Sequence, residues 1–224
     1  GGQYFYNTDP YAFSPWGPRP DYNRPEVRDY INDSFRMWLD EYRIDGFRWD
    51  APRHIIYTTN DVYIPEGLTM ISNALATMAS EHPGTWNVAE DIKEISGFDS
   101  YWDFTFVYEV RSVLTQSSDA NRDMPTIARN VAGTLQRVIY TDSHDTAGDL
   151  NGGTRLPTAI YAADAAGYYA RKRSALGAAL VLTAPGTPMI LQGQEMLETN
   201  QFSDSRAVDW TRTNTFSGIV RLYR

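Results

Sequence analysis

Apolar and polar positions run along this chain in two periods. Val27, Ile31, Phe35, Trp38 and Tyr42 recur at helical spacing and predict a helix with one buried stripe. Asn23 can cap it, Pro25 suits its first turn, and Asp45-Gly46 ends it. The run before it, "SPWGPRPDYNRP", has four prolines and predicts an irregular loop over residues 1–24. A strand follows at Phe47–Asp50, then a helix over Leu68–Ser80 stopped by His82-Pro83-Gly84. "TWNVAEDI" gives the next strand, Trp86–Glu90. "FDSYWDFTF" reads as a short strand or turn leading to a helix near Val107–Thr115, and Pro125 suits the first turn of another helix near Met124–Gly133. "RVIYTDSHD" carries a strand over Arg137–Thr141, rich in β-formers. An Ala-rich helix is expected over Tyr161–Leu182, ended by Pro185-Gly186, with "TPMILQGQE" as the final strand.

Alternation of strand and helix implies an α/β fold with parallel strands and outer helices. Four of the strands end in polar clusters: Arg48/Asp50, Glu90/Asp91, His144/Asp145 and Gln194/Glu195. A (β/α) barrel builds its active site from the C-terminal ends of several strands, so four such endings point there together. Side chains alternate faces along a strand. Arg48 and Asp50 therefore share one face, and Phe47 and Trp49 turn to the helix layer. A guanidinium beside a carboxylate favours its charged form, which leaves Asp50 as a nucleophile or as half of an ion pair that fixes a loop. Glu90 follows Val88-Ala89, an apolar approach that could raise its pKa enough for it to donate a proton; the competing reading is a solvated loop residue. Asp91 points to the opposite face. His144-Asp145 leaves three readings open: a metal site, a Ser-His-Asp arrangement using Ser143, or a substrate-binding pair. Ser143 lacks a nucleophile elbow, and three scattered histidines give no H-E-x-x-H spacing. Two carboxylates on adjacent parallel strands suit a retaining glycosidase, whose pair stands about 5–5.5 Å apart, because neighbouring strands lie about 4.8 Å apart.

Composition narrows the partners. The chain has 224 residues and is 42% hydrophobic, enough for one sizeable core. A formal charge of -8 argues against nucleic acid, whose phosphates need Lys and Arg, and is neutral towards a sugar. Without cysteine there is no disulfide and no thiolate metal site. No apolar run reaches transmembrane length, and "GGQYFYNTDP" lacks the basic region and apolar core of a signal peptide. The chain is compatible with a cytosolic or a secreted setting. Fifteen Tyr and six Trp serve mostly as core, although such rings also stack on the C–H faces of sugars.

"GFRWDAPRHI", "NVAEDI" and "YTDSHDT", in that order, resemble three signature segments of the α-amylase family of glycoside hydrolases and transglycosylases. "GTPMILQGQEM" resembles its eighth barrel strand, and "FSDSRAVDW" the loop after it. The resemblance spans roughly residues 25–210. It implies a (β/α)8 TIM barrel, held here as a partial barrel with strands 4–8. Residues 1–24 would be the remnant of the loop after strand 3, and 25–224 the catalytic barrel portion. By the resemblance, Asp50 is the nucleophile, Glu90 the general acid and then base, and Asp145 the carboxylate that binds sugar hydroxyls and stabilises the transition state. Arg48 orients Asp50, His144 binds the same sugar ring, and Arg53 and His54 line the leaving-group side. The implied activity is retaining hydrolysis of α-1,4-linked glucans, with no cofactor in the chemistry. The alternatives are a transglycosylase of branching-enzyme type, suggested by "WGPRPDY" and "SHDTAG", a non-catalytic carbohydrate-binding remnant, or a metal-dependent hydrolase using His54, Glu90, His144 and Asp145. The D-x-x-x-N-H-type segment of the third strand is absent. In many relatives it brings a calcium ligand, so structural calcium would belong to the full-length enzyme. The missing strands are expected from the rest of the chain or from another chain.

Overall fold

A computed structural model describes residues 2–91 and 95–224. Ile92, the last residue of the "NVAEDI" segment, lies outside the described residues. The chain divides between Trp102 and Asp103 into two compact units.

The first unit opens with a two-stranded hairpin, β1 Phe13–Ser14 and β2 Gly17–Pro18, inside the expected loop. Helix α1 spans Pro25–Asp40. Pro25 takes its first turn, but Arg24 and not Asn23 occupies the N-cap, with no side-chain cap. The buried stripe also departs from expectation at its end. Val27 and Leu39 are buried, whereas Trp38 and Tyr42 are exposed and stack on each other at 4.6 Å. A four-residue step from Val27 reaches Ile31, Phe35 and then Leu39, so Trp38 falls beside the stripe, and the helix stops before Tyr42. Strand β3 spans Gly46–Trp49, followed by the short helix α2 Arg53–Ile56 and by α3 Pro65–Glu81. Strands β4 Trp86–Ala89 and β5 Ser100–Trp102 continue a parallel sheet in the order β3-β4-β5. Phe47 and Trp49 turn to the helix layer as their alternation requires, with Phe35 4.9 Å from Phe47 and 5.0 Å from Trp49. Trp49, Ile56, Ile64, Ile71, Leu75 and Ala89 belong to the core of this unit. Each fully buried aliphatic side chain there contributes about 1.5–3 kcal/mol.

The second unit begins with α4 Phe104–Thr115, whose first turn is capped by the Asp103 carboxylate accepting from Phe106 N at 3.0 Å. Helix α5 spans Met124–Val131, and β6 spans Arg137–Ile139. A helix α6 at Leu156–Ile160 and a single turn at Ala162–Asp164 precede α7, Tyr168–Thr183. The Ala-rich helix therefore starts seven residues later than its composition predicts. Gly167 sets the boundary: it is the extended N-cap of α7, and a Cβ there would overlap the Asp164 carboxylate. The final strand shrinks to β7, Thr187–Pro188, parallel to β6. Pro188 has no N–H for a ladder, and Gly193, at φ 89°, turns the chain. Two short helices not anticipated from the sequence, α8 Arg212–Thr215 and α9 Ser217–Tyr223, follow. Phe106, Val110, Leu114, Ile139, Leu156 and Val181 form this unit's core. Among the described residues no helix is long and apolar enough to cross a membrane.

Candidate active site

The register of β3 on β4 pairs Arg48 with Val88 and Trp49 with Ala89. Asp50 and Glu90 are thus level, each one residue past its strand end, on the face that Arg48 shares. Arg48 bridges them. Its Nη1 pairs with Asp50 Oδ1, and its Nη2 lies 2.7 Å from Glu90 Oε1. The second contact has ion-pair distance without hydrogen-bond alignment, and Arg48 Nε has no hydrogen-bond partner among the described residues. The guanidinium lies flat enough on Trp102 for a cation–π contact, 4.5 Å to the ring centroid, so β5 supplies its floor. The two carboxylates differ in environment. The Asp50 side chain is 74% exposed and that of Glu90 only 14%. Burial pushes the Glu90 carboxyl above its ordinary range, against the pull of the Ala51 N–H and Arg48. One exposed carboxylate on a cation and one buried acid of raised pKa is the division of labour that a nucleophile and a proton donor need.

The loop after β3 is tied to the loop after β4. Ala51 N donates to Glu90 Oε2 at 2.5 Å, and Arg53 N donates to Asp91 Oδ1 at 3.1 Å. Glu90 and Asp91 thus both accept from backbone N–H groups of one turn, and burial raises the Asp91 carboxyl as well. Ala51 sits in the left-handed region at φ 41°, unusual for a residue with a Cβ. Arg53 turns its guanidinium to Asp61 at 2.6 Å and to the Tyr57 ring at 5.1 Å. His54 packs perpendicular to Trp16, with centroids 5.1 Å apart.

In the second unit His144 Nε2 is 3.4 Å from Asp145 Oδ2, and Asn151 Nδ2 donates to Asp145 Oδ1 at 3.3 Å. His144 is exposed and Asp145 half-buried. A cleft of about 420 Å³ beside Asp145 is lined by Tyr108, Arg111, Thr146, Asn151, Gly153 and Thr154. The Ser143 hydroxyl accepts from Asp145 N and Thr146 N, both at 3.2 Å. It holds the turn that presents His144 and Asp145, which leaves the Ser-His-Asp reading without a poised nucleophile. Arg111 clamps the loop at both ends. It donates to Thr141 O at 2.8 Å and Thr154 O at 2.7 Å, and pairs with the fully buried Asp142, whose carboxylate also accepts from Leu156 N at 3.1 Å. Gln194, expected at a strand end, instead opens a single helical turn at Gln194–Met196, six residues past β7, and its Nε2 donates to Thr141 Oγ1 at 2.7 Å, bracing the segment after β6. Among the described residues no group of three or more His, Asp or Glu side chains is placed to hold a metal ion.

Reasoning from sequence found Arg48, Asp50 and Glu90, which the fold brings together. It did not find Trp102, Arg111, Asn151 or Trp16. A period-two reading of "SYWDF" puts Trp102 at a strand end and could have found it. Arg111 lies in a helix with no local mark of the loop that it holds.

The α-amylase catalytic-domain family model matches residues 3–218, and the chain belongs to that family. A malto-oligosyltrehalose trehalohydrolase of Deinococcus radiodurans is 35% identical over 117 residues, covering 49% of this chain and 18% of the relative. A 1,4-alpha-glucan branching enzyme GlgB of Corynebacterium jeikeium is 25% identical over 215 residues, covering 85% and 30%. Among solved structures, a pullulanase from Anoxybacillus complexed with maltotriose matches with a TM-score of 0.71 at 20% identity, over 98% of this chain and 35% of its own. The chain spans less than half the length of these relatives. The α/β fold expected from the sequence, with its five parallel strands numbered four to eight, is the fold of this family's (β/α) barrels.

Proposed function

We propose that this chain carries the acid–base machinery of a retaining glycoside hydrolase acting on α-1,4-linked glucans. One observation supports the reading above the others: Asp50 and Glu90 stand level on adjacent parallel strand ends and share the Arg48 guanidinium. Glu90 would give its proton to the glycosidic oxygen while the Asp50 carboxylate attacks the anomeric carbon and the bond to the leaving sugar breaks. Glu90, now ionised, would take a proton from water as its oxygen attacks the same carbon, which releases Asp50. Arg48 holds Asp50 aimed through their ion pair. Asp145 and His144 would bind hydroxyls of the reacting sugar, and Arg53 and His54 would line the leaving-group side. No cofactor enters these steps, and no nucleic acid or membrane is a partner in this reading.

Transfer to a sugar hydroxyl instead of water is the second reading, supported by the coverage of branching-enzyme relatives across 85% of the chain. Incubation with soluble starch and maltooligosaccharides, with reducing ends and branch points read together, separates the two. New reducing ends without branches fit hydrolysis. Branches without net reducing ends fit transfer. Neither product from any α-glucan rejects both.

A further inference from the structure

The irregular segment before α1 carries an exposed indole that no step above uses. Trp16 forms the tip of the β1–β2 hairpin with Pro15 and is 69% exposed. The hairpin is built to hold it there. Ser14 Oγ accepts from Trp16 N at 3.2 Å and donates to Gly17 O at 3.1 Å, and Gly17 closes the turn at φ 133°, a conformation open to glycine. Arg19, only 1% exposed, fixes the hairpin to the site. Its guanidinium donates to Tyr11 O at 3.1 Å, to Phe13 O at 3.0 Å and to His54 O. One buried cation thus ties both the hairpin and the His54 backbone into a single piece.

The indole meets His54 at 86°, with centroids 5.1 Å apart. A perpendicular contact uses the edge of one ring, so at least one indole face stays free. Among the described residues His54 Nδ1 is buried without a hydrogen-bond partner, and the imidazole packs against the Trp16 ring. His54 belongs to the same turn whose Ala51 and Arg53 N–H groups are held by Glu90 and Asp91. The free indole face is therefore rigidly connected to the carboxylate pair through one short loop. A flat, apolar ring with a polar rim nearby suits the C–H face of a pyranose and carries no charge preference.

We propose that Trp16 is a sugar-stacking, specificity-determining residue, whose free indole face binds a pyranose of the glucan next to His54; this rests on the α-glucan reading above. Trp16→Ala, at an exposed turn, should raise KM for maltooligosaccharides about fivefold, as loss of one aromatic stacking contact implies, with kcat changed less than about twofold. Trp16→Phe, which keeps a flat ring, should recover most of the affinity. Binding can be followed without turnover by titrating maltooligosaccharides into Glu90→Gln and reading tryptophan fluorescence. The ligand-induced change should largely vanish in Glu90→Gln/Trp16→Phe, although binding measured by calorimetry persists. Unchanged KM in Trp16→Ala together with an unchanged fluorescence response in the double variant overturns the proposal. If the wild type cleaves no α-glucan but Glu90→Gln still shows the Trp16-dependent response, the hydrolytic reading fails and the stacking role stands. Absence of any response and of any cleavage rejects both.

Discussion

Asp50 and Glu90 have the same functional group and opposite surroundings, and their behaviour should diverge accordingly. Glu90→Gln keeps the shape and removes the proton; α-glucan turnover should fall at least about 100-fold, measured as reducing ends released. The same change should act on stability in the other direction. A carboxyl whose folded pKa is raised binds more protons folded than unfolded, so stability falls as pH rises from the unfolded value through the raised one. Glu90→Gln removes that loss. Its melting temperature should match the wild type near pH 4 and equal or exceed it at pH 7, compared by thermal melts at both. Ala51 offers a second test. Its left-handed backbone costs about 1–2 kcal/mol for a residue with a Cβ, and glycine would relieve it while adding about 0.4–1 kcal/mol of unfolded-state entropy. Ala51→Gly should therefore change stability by less than about 1 kcal/mol in urea melts and leave kcat within about twofold, because glycine keeps the backbone N–H that Glu90 accepts. The residues of this site were legible because alternation is a local rule: "FRWD" places Arg48 with Asp50 and Trp49 with the core without knowledge of the rest. Trp16 was not legible, because its meaning depends on Arg19 reaching His54, thirty-five positions away.

At the scale of elements, the sequence located most segments and misjudged their limits. Pro25 and Pro125 marked helix starts correctly, since a proline suits a first turn. The Ala-rich run before α7 misled, because propensity is uniform across it and only the Asp164–Gly167 contact divides it. The loop between β6 and α6 shows what fixes an element without regular structure. Arg111 and Asp142 form a buried ion pair, with side chains 13% and 0% exposed, that joins its two ends. Arg111→Met would strip the fully buried Asp142 of its ion-pair partner and should destabilise the protein by about 3–5 kcal/mol. Arg111→Met/Asp142→Leu should recover much of that loss, because the fully buried carboxylate goes with its partner and Arg155 keeps Glu198 and Glu195 as neighbours. Urea denaturation of both variants checks it. A double variant as unstable as the single one would assign the cost to lost packing instead.

For the whole molecule, formal charge is the property that sequence states directly. A net charge of -8 with a neutral substrate predicts a weak salt dependence. Maltooligosaccharide affinity should change less than about twofold when ionic strength rises tenfold, since no counterions are released on binding. Calorimetry across a salt series measures this. A steep slope would mean that an anionic group is part of the true ligand. The fold class was also legible at this scale, because the strand–helix order needs only periodicity. The division between Trp102 and Asp103 was not, because no change of composition marks it.

The single guanidinium between two carboxylates has a further consequence. Two neighbouring charges act on the Glu90 carboxyl in opposite senses: the Arg48 guanidinium draws its pKa down and the Asp50 carboxylate pushes it up. In the proposed reaction, esterification of Asp50 would remove its charge and with it the upward push on Glu90. Glu90 would then shed its proton more readily in the second half-reaction than in the first, which is the change of role that one residue needs to act as acid and then as base. The timing of proton transfer would thus be written in the charge of one neighbouring carboxylate, with no movement of the backbone.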